Sequence, residues 1–410
     1  MNVATAKARY SRSDAVLTVF FLLAIVLPLA AKFVLPDRAV ATQENRRLAR
    51  FPKLGLKGDI LAAFPSAFEK YYDDQFAFRD LLIRWHHLIK LRLLGVSPSP
   101  KVVLGKDGWL FDRDTVQYYA APPLAPEALE KWRSFLEERQ SFVAAKGHPF
   151  VLVFAPLPST IYPEYLPEAI RHEPRESRLD QLIAHLRAHS SLPIVDLRES
   201  LRAGKDTEQL YQRTDTHWNE LGAYRGYVQI MDSLAARWPE LQPVPRTAFD
   251  VQEHQAPGGD IARMLGLSDL FPERRFEFKR QGGPAARVAE WYPEDSRIPM
   301  GFSMRTSNTN QPRAIVFHDS FTFESLYPFL AENFSEVWFH WNHYFDPDLG
   351  VKLYSNTQKA EISWRPAAQP GLGGTERPLI VILQIAERNL LYDPPPTWAQ
   401  LDQRRKAKGK

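Results

Sequence analysis

The 410-residue chain contains no cysteine, so disulfides and thiolate chemistry are both excluded. That absence leaves the compartment open, because exported proteins without cysteine are common. Charge of one sign is also missing. The 52 basic and 48 acidic residues leave a formal net charge of +4, and the basic residues are dispersed, so composition offers no nucleic-acid surface. No internal repeat is visible. What the chain does have is length enough for one large core with an insertion, or for two ordinary domains, together with abundant aromatics and proline.

The one long apolar run lies at the N-terminus. Ala15 to Leu27 continues through Pro28, Leu29, Ala30 and Ala31 to Phe33-Val34-Leu35, about twenty apolar residues interrupted only by Lys32. That length suits a membrane span, and a lysine near a helix end can snorkel. Lys7, Arg9 and Arg12 precede it, which predicts a cytoplasmic N-terminus and an exported body. A cleaved signal peptide is the rival, since Pro28-Leu29-Ala30-Ala31 places small residues near a possible cleavage point.

After residues 1–36, residues 37–100 read as a polar linker followed by helices, with Leu81, Leu82, Trp85, Leu88, Ile89 and Leu93 at helical spacing. Val102-Val103-Leu104 and Trp109-Leu110-Phe111 flank an Asp107-Gly108 turn and predict a hairpin. From Pro126 onward helical and strand patterns alternate. Helices are expected over Glu127 to Lys146, over Ser177 to Ala188 and from an Asn219 N-cap toward Trp238. Strands are expected at Phe150 to Phe154, Ile194 to Leu197, Ala314 to Phe317, Val337 to Phe339 and Leu379 to Ile385. Such alternation indicates an α/β domain over 101–392 with a mostly parallel sheet flanked by helices. Residues 243–312 form an irregular, loop-rich or β insertion, and 393–410 a basic tail.

Chemistry concentrates in a split constellation. Asp215-Thr216-His217-Trp218 offers a carboxylate and an imidazole two residues apart, and in an extended segment both project from one side. About a hundred residues later, His318-Asp319-Ser320-Phe321 places a serine between an apolar strand and a helix. There it would meet free backbone N–H groups at the helix start. Asp215, His217 and Ser320 supply acid, base and nucleophile for acyl transfer. Blander roles exist for each: a surface Asp215–His217 pair, and a helix N-cap for Ser320. His318 can anchor the turn. His340, His343 and Asp346 could be imagined as a metal site but suit packing and hydrogen bonding better. Trp109 and Trp218 suit core or site-wall positions, or an aromatic sugar subsite, and Glu387 with Arg388 suits a structural ion pair.

Asp215-Thr216-His217-Trp218-Asn219 with Gly222 and Tyr224, and His318-Asp319-Ser320-Phe321, resemble the AlgJ/AlgX-type polysaccharide O-acetyltransferases of the SGNH hydrolase-like superfamily. Glu44-Asn45-Arg46-Arg47, Asp74 to Arg79, Gly105 to Phe111, Ile161 to Glu164 and Glu387 to Leu390 match in the same order. The resemblance implies a flavodoxin-like fold with a circularly permuted triad order, the serine following the Asp-His pair. It implies O-acetylation of an exported polysaccharide, alginate or a related polymer, through an acetyl-serine. It also implies a periplasmic catalytic domain on an inner-membrane anchor and no cofactor. Its partners would be the polymer, a membrane-bound O-acyltransferase (AlgI-like) that supplies acetyl groups, and other export proteins.

Asp215, His217 and Ser320 carry over as the triad, the Ser320 N–H as one oxyanion donor, and Asn342 or Tyr344 as candidates for a second. Trp218 and Arg388 are further candidates for substrate binding. Two positions depart from the pattern: Pro156-Leu157-Pro158-Ser159-Thr160 lacks an expected lysine, and Gln384 replaces an expected acid. An SGNH-type esterase and a catalytically silent scaffold are the alternatives.

Overall fold

The computed structural model describes residues 11–32, 34–41, 46–53, 55, 58–171, 176–292, 301–341, 379–400 and 403. Residues 1–99 with 263–268 form one compact unit, and residues 100–262 with 269–410 form a second.

The first unit is helical, with helices Arg12–Lys32, Gly58–Gln75 and Arg79–Leu93. In the first of these Val16, Leu17, Phe20, Phe21, Leu23 and Val26 are all exposed. Among the described residues no helix is long and apolar enough to cross a membrane; the Leu29 and Lys32 side chains of this one lie outside the description.

The second unit is built on a seven-stranded sheet. In chain order its strands are β1 (Phe150–Ala155), β2 (Ile194–Asp196), β3 (Ala286–Tyr292), β4 (Gly301–Thr306), β5 (Arg313–His318), β6 (Glu336–Trp341) and β7 (Leu379–Ala386). Their spatial order is β2-β1-β7-β5-β6-β4-β3. β2, β1, β7, β5 and β6 run parallel, whereas β4 and β3 are antiparallel additions at the edge. Every residue of β1 and β7 is buried, as strands covered by helices on both faces require.

The flanking helices follow their local chemistry. Helix Arg178–His189 begins with a capping box in which Ser177 and Asp180 satisfy each other's backbone N–H groups. Helix Glu220–Ala235 is capped by Asn219, whose Oδ1 accepts the Gly222 N–H at 3.0 Å. Helix Pro126–Ala144 buries Trp132, Phe135, Leu136 and Val143 against the sheet side of the core. The hairpin Val102–Leu104 with Leu110–Asp112 turns through Asp107 at φ 52° and Gly108 at φ 80°. Leu110 N–H donates to Arg213 O at 2.7 Å, fastening the hairpin beside the Asp-x-His segment.

The region expected as an irregular insertion is richer in strands than its Gly and Pro content suggests. Phe249–Ala256 pairs with Glu273–Arg280, while β3 and β4 join the main sheet. Short antiparallel segments can extend an edge without a crossover helix, so they leave no alternating pattern to read.

Candidate active site

Two neighbouring parallel strands deliver one half of the site at their carboxyl ends, where α/β sheets bind ligands. β5 ends at His318 and is followed by Asp319 and Ser320; β7 ends at Ala386 and is followed by Glu387 and Arg388. Phe317 pairs with Leu383, so the two exits lie side by side.

Asp319 organises this junction. Its Oδ1 accepts the Phe321 N–H at 3.0 Å, and its Oδ2 accepts the Ala386 N–H at 2.8 Å. The helix beginning at Ser320 is therefore capped by Asp319, correcting the alternative that Ser320 itself is the cap. That leaves the Ser320 hydroxyl for chemistry, and its N–H sits in the first turn, where the helix ladder has no acceptor for it. Gln384, where an acid was expected, accepts from the Asp319 N–H at 3.2 Å and from Thr322 Oγ1 at 3.0 Å. It holds the junction rather than facing a substrate. His318 anchors the turn, with Nδ1–H donating to Asp319 O at 2.8 Å.

The other half comes from the loop between Tyr211 and Trp218, which bridge each other. His217 Nδ1–H donates to Asp215 Oδ1 at 2.7 Å, and His217 Nε2 accepts from Ser320 Oγ at 2.8 Å. The segment is a turn rather than the extended strand expected from i, i+2 spacing. The physical reason is an Asx-type turn: Asp215 Oδ1 also accepts the His217 backbone N–H at 3.0 Å. All three residues of the expected triad thus meet, with Asp215 and His217 buried.

Burial opposes the charge on Asp215, but the hydrogen bond and charge of His217 and the Asp260 and His217 N–H groups hold its carboxyl down at about 2. Burial pulls the other way on His217, yet the Asp215 hydrogen bond and charge, with Asp260 and Glu324, leave its pKa above the ordinary 6.5.

Asp260 is a participant that the sequence did not disclose. Its N–H donates to Asp215 Oδ2 at 2.9 Å, and its carboxylate accepts the Thr216 N–H at 2.8 Å and the Thr216 hydroxyl. It clasps the residue between acid and base. Burial, then the adjacent Asp215 charge, pushes its own pKa up to about 6. Gly259 is required beside it, because a Cβ there would lie 2.3 Å from Asp215 Oδ2. The only signal was Gly258-Gly259-Asp260 inside a stretch that read as irregular.

Asp215, His217 and Asp260 each offer an atom within 4.8 Å of the others, the spacing a cation needs. Here, however, the Nδ1 proton and two backbone N–H groups point at the Asp215 oxygens, so the cluster is wired as a hydrogen-bonded relay. His340 is buried, stacked on Phe317 at 5.5 Å, and burial lowers its pKa to about 3. His343 and Asp346 lie outside the described residues, as do the oxyanion candidates Asn342 and Tyr344.

Arg388 reaches Ser320 instead, with Nη2–H donating to Ser320 Oγ at 3.1 Å. Glu387 and Arg388 are not a pair, correcting that expectation. Glu387 turns inward, where its Oε2 accepts the Leu157 N–H at 2.9 Å and the Thr160 hydroxyl at 2.5 Å. Trp218 is fully buried and presents no face to a substrate, correcting its candidacy for substrate binding. Its Nε1–H donates to Phe321 O at 3.1 Å, so it ties the two halves together. Trp109 is likewise core, stacked on Tyr165 at 4.8 Å.

Residues 102–289 match the family described as SGNH hydrolase-like domain, acetyltransferase AlgX. The match contains Asp215, His217 and Asp260, while Ser320 and Arg388 join the site through the fold. The chain is 31% identical over 211 residues to the probable alginate O-acetylase AlgJ of Pseudomonas aeruginosa, covering 50% of this chain and 51% of that one. It is 27% identical over 214 residues to the protein so named in Azotobacter vinelandii, covering 50% and 52%. The chain thus spans about half the length of the curated relatives it matches. Among solved structures, the O-acetyltransferase domain of Pseudomonas putida AlgJ aligns with a TM-score of 0.48 and 21% identity, covering 76% of this chain and 98% of that one.

Proposed function

We propose that the protein is an O-acetyltransferase that moves acetyl groups onto hydroxyls of an exported polysaccharide, alginate or a related polymer, through an acetyl-serine. The observation that carries this reading is the unbroken chain Asp215 Oδ1–His217–Ser320 Oγ, with contacts of 2.7 and 2.8 Å. His217 Nε2 takes the Ser320 proton as Oγ attacks the acetyl carbonyl. The imidazolium then protonates the leaving group, and the neutral ring deprotonates a sugar hydroxyl that attacks the acetyl-serine. Asp215 holds the tautomer and stabilises the imidazolium. The Arg388 guanidinium, already on Oγ, stabilises negative charge as it develops there, and the Ser320 N–H at the helix start serves the carbonyl oxygen.

The site is one half of a relay: acetyl groups would arrive from a membrane-bound O-acyltransferase, alongside other export proteins. The basic flank and apolar run at the N-terminus support an exported catalytic unit held at the inner membrane. The test is to incubate the purified protein with an activated acetyl ester and uronate or neutral oligosaccharides, and to read products by mass spectrometry. Acetylated oligosaccharide is the expected product. Acetate release with no acetylated sugar would identify an esterase, and unchanged turnover in Ser320→Ala would defeat both enzyme readings.

A further inference from the structure

Helix Arg79–Leu93 carries an apolar stripe that the fold leaves uncovered. Leu81, Leu82, Trp85, Ile89 and Leu93 are 51, 53, 58, 48 and 76% exposed, and the helix has no buried residue. At 100° per residue these five fall within one third of the helix circumference. The opposite side is the one tied down: Arg84 Nη1–H donates to Gly266 O at 2.8 Å, and His87 Nδ1 lies 2.7 Å from Leu265 O. The stripe is therefore the outward face of a fixed helix, not of one free to roll.

Charge and connectivity identify what covers it. Arg92 is exposed within the stripe, a long cation able to lay its stem on apolar surface and keep its head at a polar boundary, and half-buried Lys90 lies about 60° beyond the Leu93 edge. The start of the helix is pinned to the chain leaving the exposed apolar helix Arg12–Lys32. The Arg38 guanidinium is bonded to the Asp80 carboxylate, the Arg38 N–H donates to Gln75 Oε1 at 3.0 Å, and Tyr71 OH donates to Asp37 Oδ1 at 3.0 Å. Only a few residues separate Lys32 from Asp37, a reach of at most ~18 Å. A face of Trp85, Ile89 and three leucines that carries Arg92 near its C-terminal end, held within that reach of an apolar helix, has the makeup of an interfacial helix.

We propose that the face formed by Leu81, Leu82, Trp85, Ile89 and Leu93 lies on an anionic lipid bilayer. The lipid phosphates would meet Lys90 and Arg92. The helix would then hold the first unit flat on that bilayer.

The absence of cysteine makes the test clean, because one introduced thiol is the only labelling site. The full chain carrying Ile89→Cys, and separately Leu82→Cys, is labelled with an environment-sensitive fluorophore and added to vesicles of phosphatidylethanolamine and phosphatidylglycerol. Arg202→Cys, exposed in the other unit, is the control. The expected result is strong quenching by lipid-borne nitroxide at 89 and 82, none at 202, and loss of that quenching in a Lys90→Glu/Arg92→Glu background. Labels at 89 and 82 that stay fully open to aqueous iodide on vesicles would overturn the proposal. So would shielding that appears only when another membrane protein is added. Flotation of the chain reports separately on Arg12–Lys32, so a chain that floats with position 89 still in water contradicts this inference alone.

Discussion

His217 Nε2 lies 2.8 Å from Ser320 Oγ although 103 positions separate them. The contact joins a loop fixed by Asp260 to a strand end fixed by Asp319, and Trp218 bridges the two through Phe321. Function in this site is a property of that junction, and each support can be tested by itself.

The imidazole must be neutral to accept the Ser320 proton. Its pKa is raised above 6.5, so the protonated, inactive form persists above that pH. kcat/KM is therefore expected to fall on the acid side with a midpoint above 6.5. Asp215→Asn removes the carboxylate that holds the imidazolium. The midpoint should move to lower pH while kcat drops by roughly 10³–10⁴ through loss of the correct tautomer. An acid limb unmoved by Asp215→Asn would assign the titration to another group.

Asp260 positions the turn through Thr216 and adds charge near His217. Asp260→Asn keeps the backbone donor to Asp215 and removes the charge, so the acid limb should shift downward with kcat at high pH nearly retained. Asp260→Ala also releases Thr216 and should lower kcat by about 10²-fold with KM little changed, the usual cost of a misplaced catalytic group. Gly259→Ala should behave like Asp260→Ala, because its Cβ would press on Asp215 Oδ2. Equal pH profiles for wild type and Asp260→Asn would reduce Asp260 to a purely structural clasp.

Arg388 meets Ser320 Oγ in the resting site and is expected to gain strength as negative charge grows. Arg388→Gln should cost about 10²–10³ in kcat, the scale for losing one donor to a developing anion, with KM nearly constant. A selective rise in KM would instead make Arg388 a binding group for the acceptor.

The parallel core and the three residues that meet as the candidate triad were legible in the sequence because each is written in local code. The fully apolar β1, β7 with Gln384 as its one polar residue, the Asn219 cap and the Asp-Gly turn of the hairpin carry their instructions within a few residues. Asp260 and Arg388 were harder to read. Asp260 acts through a backbone N–H and a clasp on Thr216 from 44 positions away, and the glycine beside it looks like any loop glycine until the Asp215 carboxylate is placed against it. Arg388 read both as a substrate-binding candidate and as a partner of its neighbour Glu387. Only the end of β7 reveals that consecutive side chains part there, one into the core and one onto the nucleophile. For Trp218, which suited a core position or an aromatic sugar subsite, complete burial selects the core and makes it the brace between the two halves.

The most direct test is to trap the acyl-enzyme. The full-length protein is mixed with an activated acetyl ester, quenched in acid within the first turnover, digested and mapped by mass spectrometry. A single acetyl group on the peptide containing Ser320, absent in Ser320→Ala and accumulating more slowly in His217→Ala, is the expected result. Transfer of acetyl to an oligosaccharide with no acetyl-serine at any time, or an adduct that persists in Ser320→Ala, would contradict the Asp215–His217–Ser320 assignment.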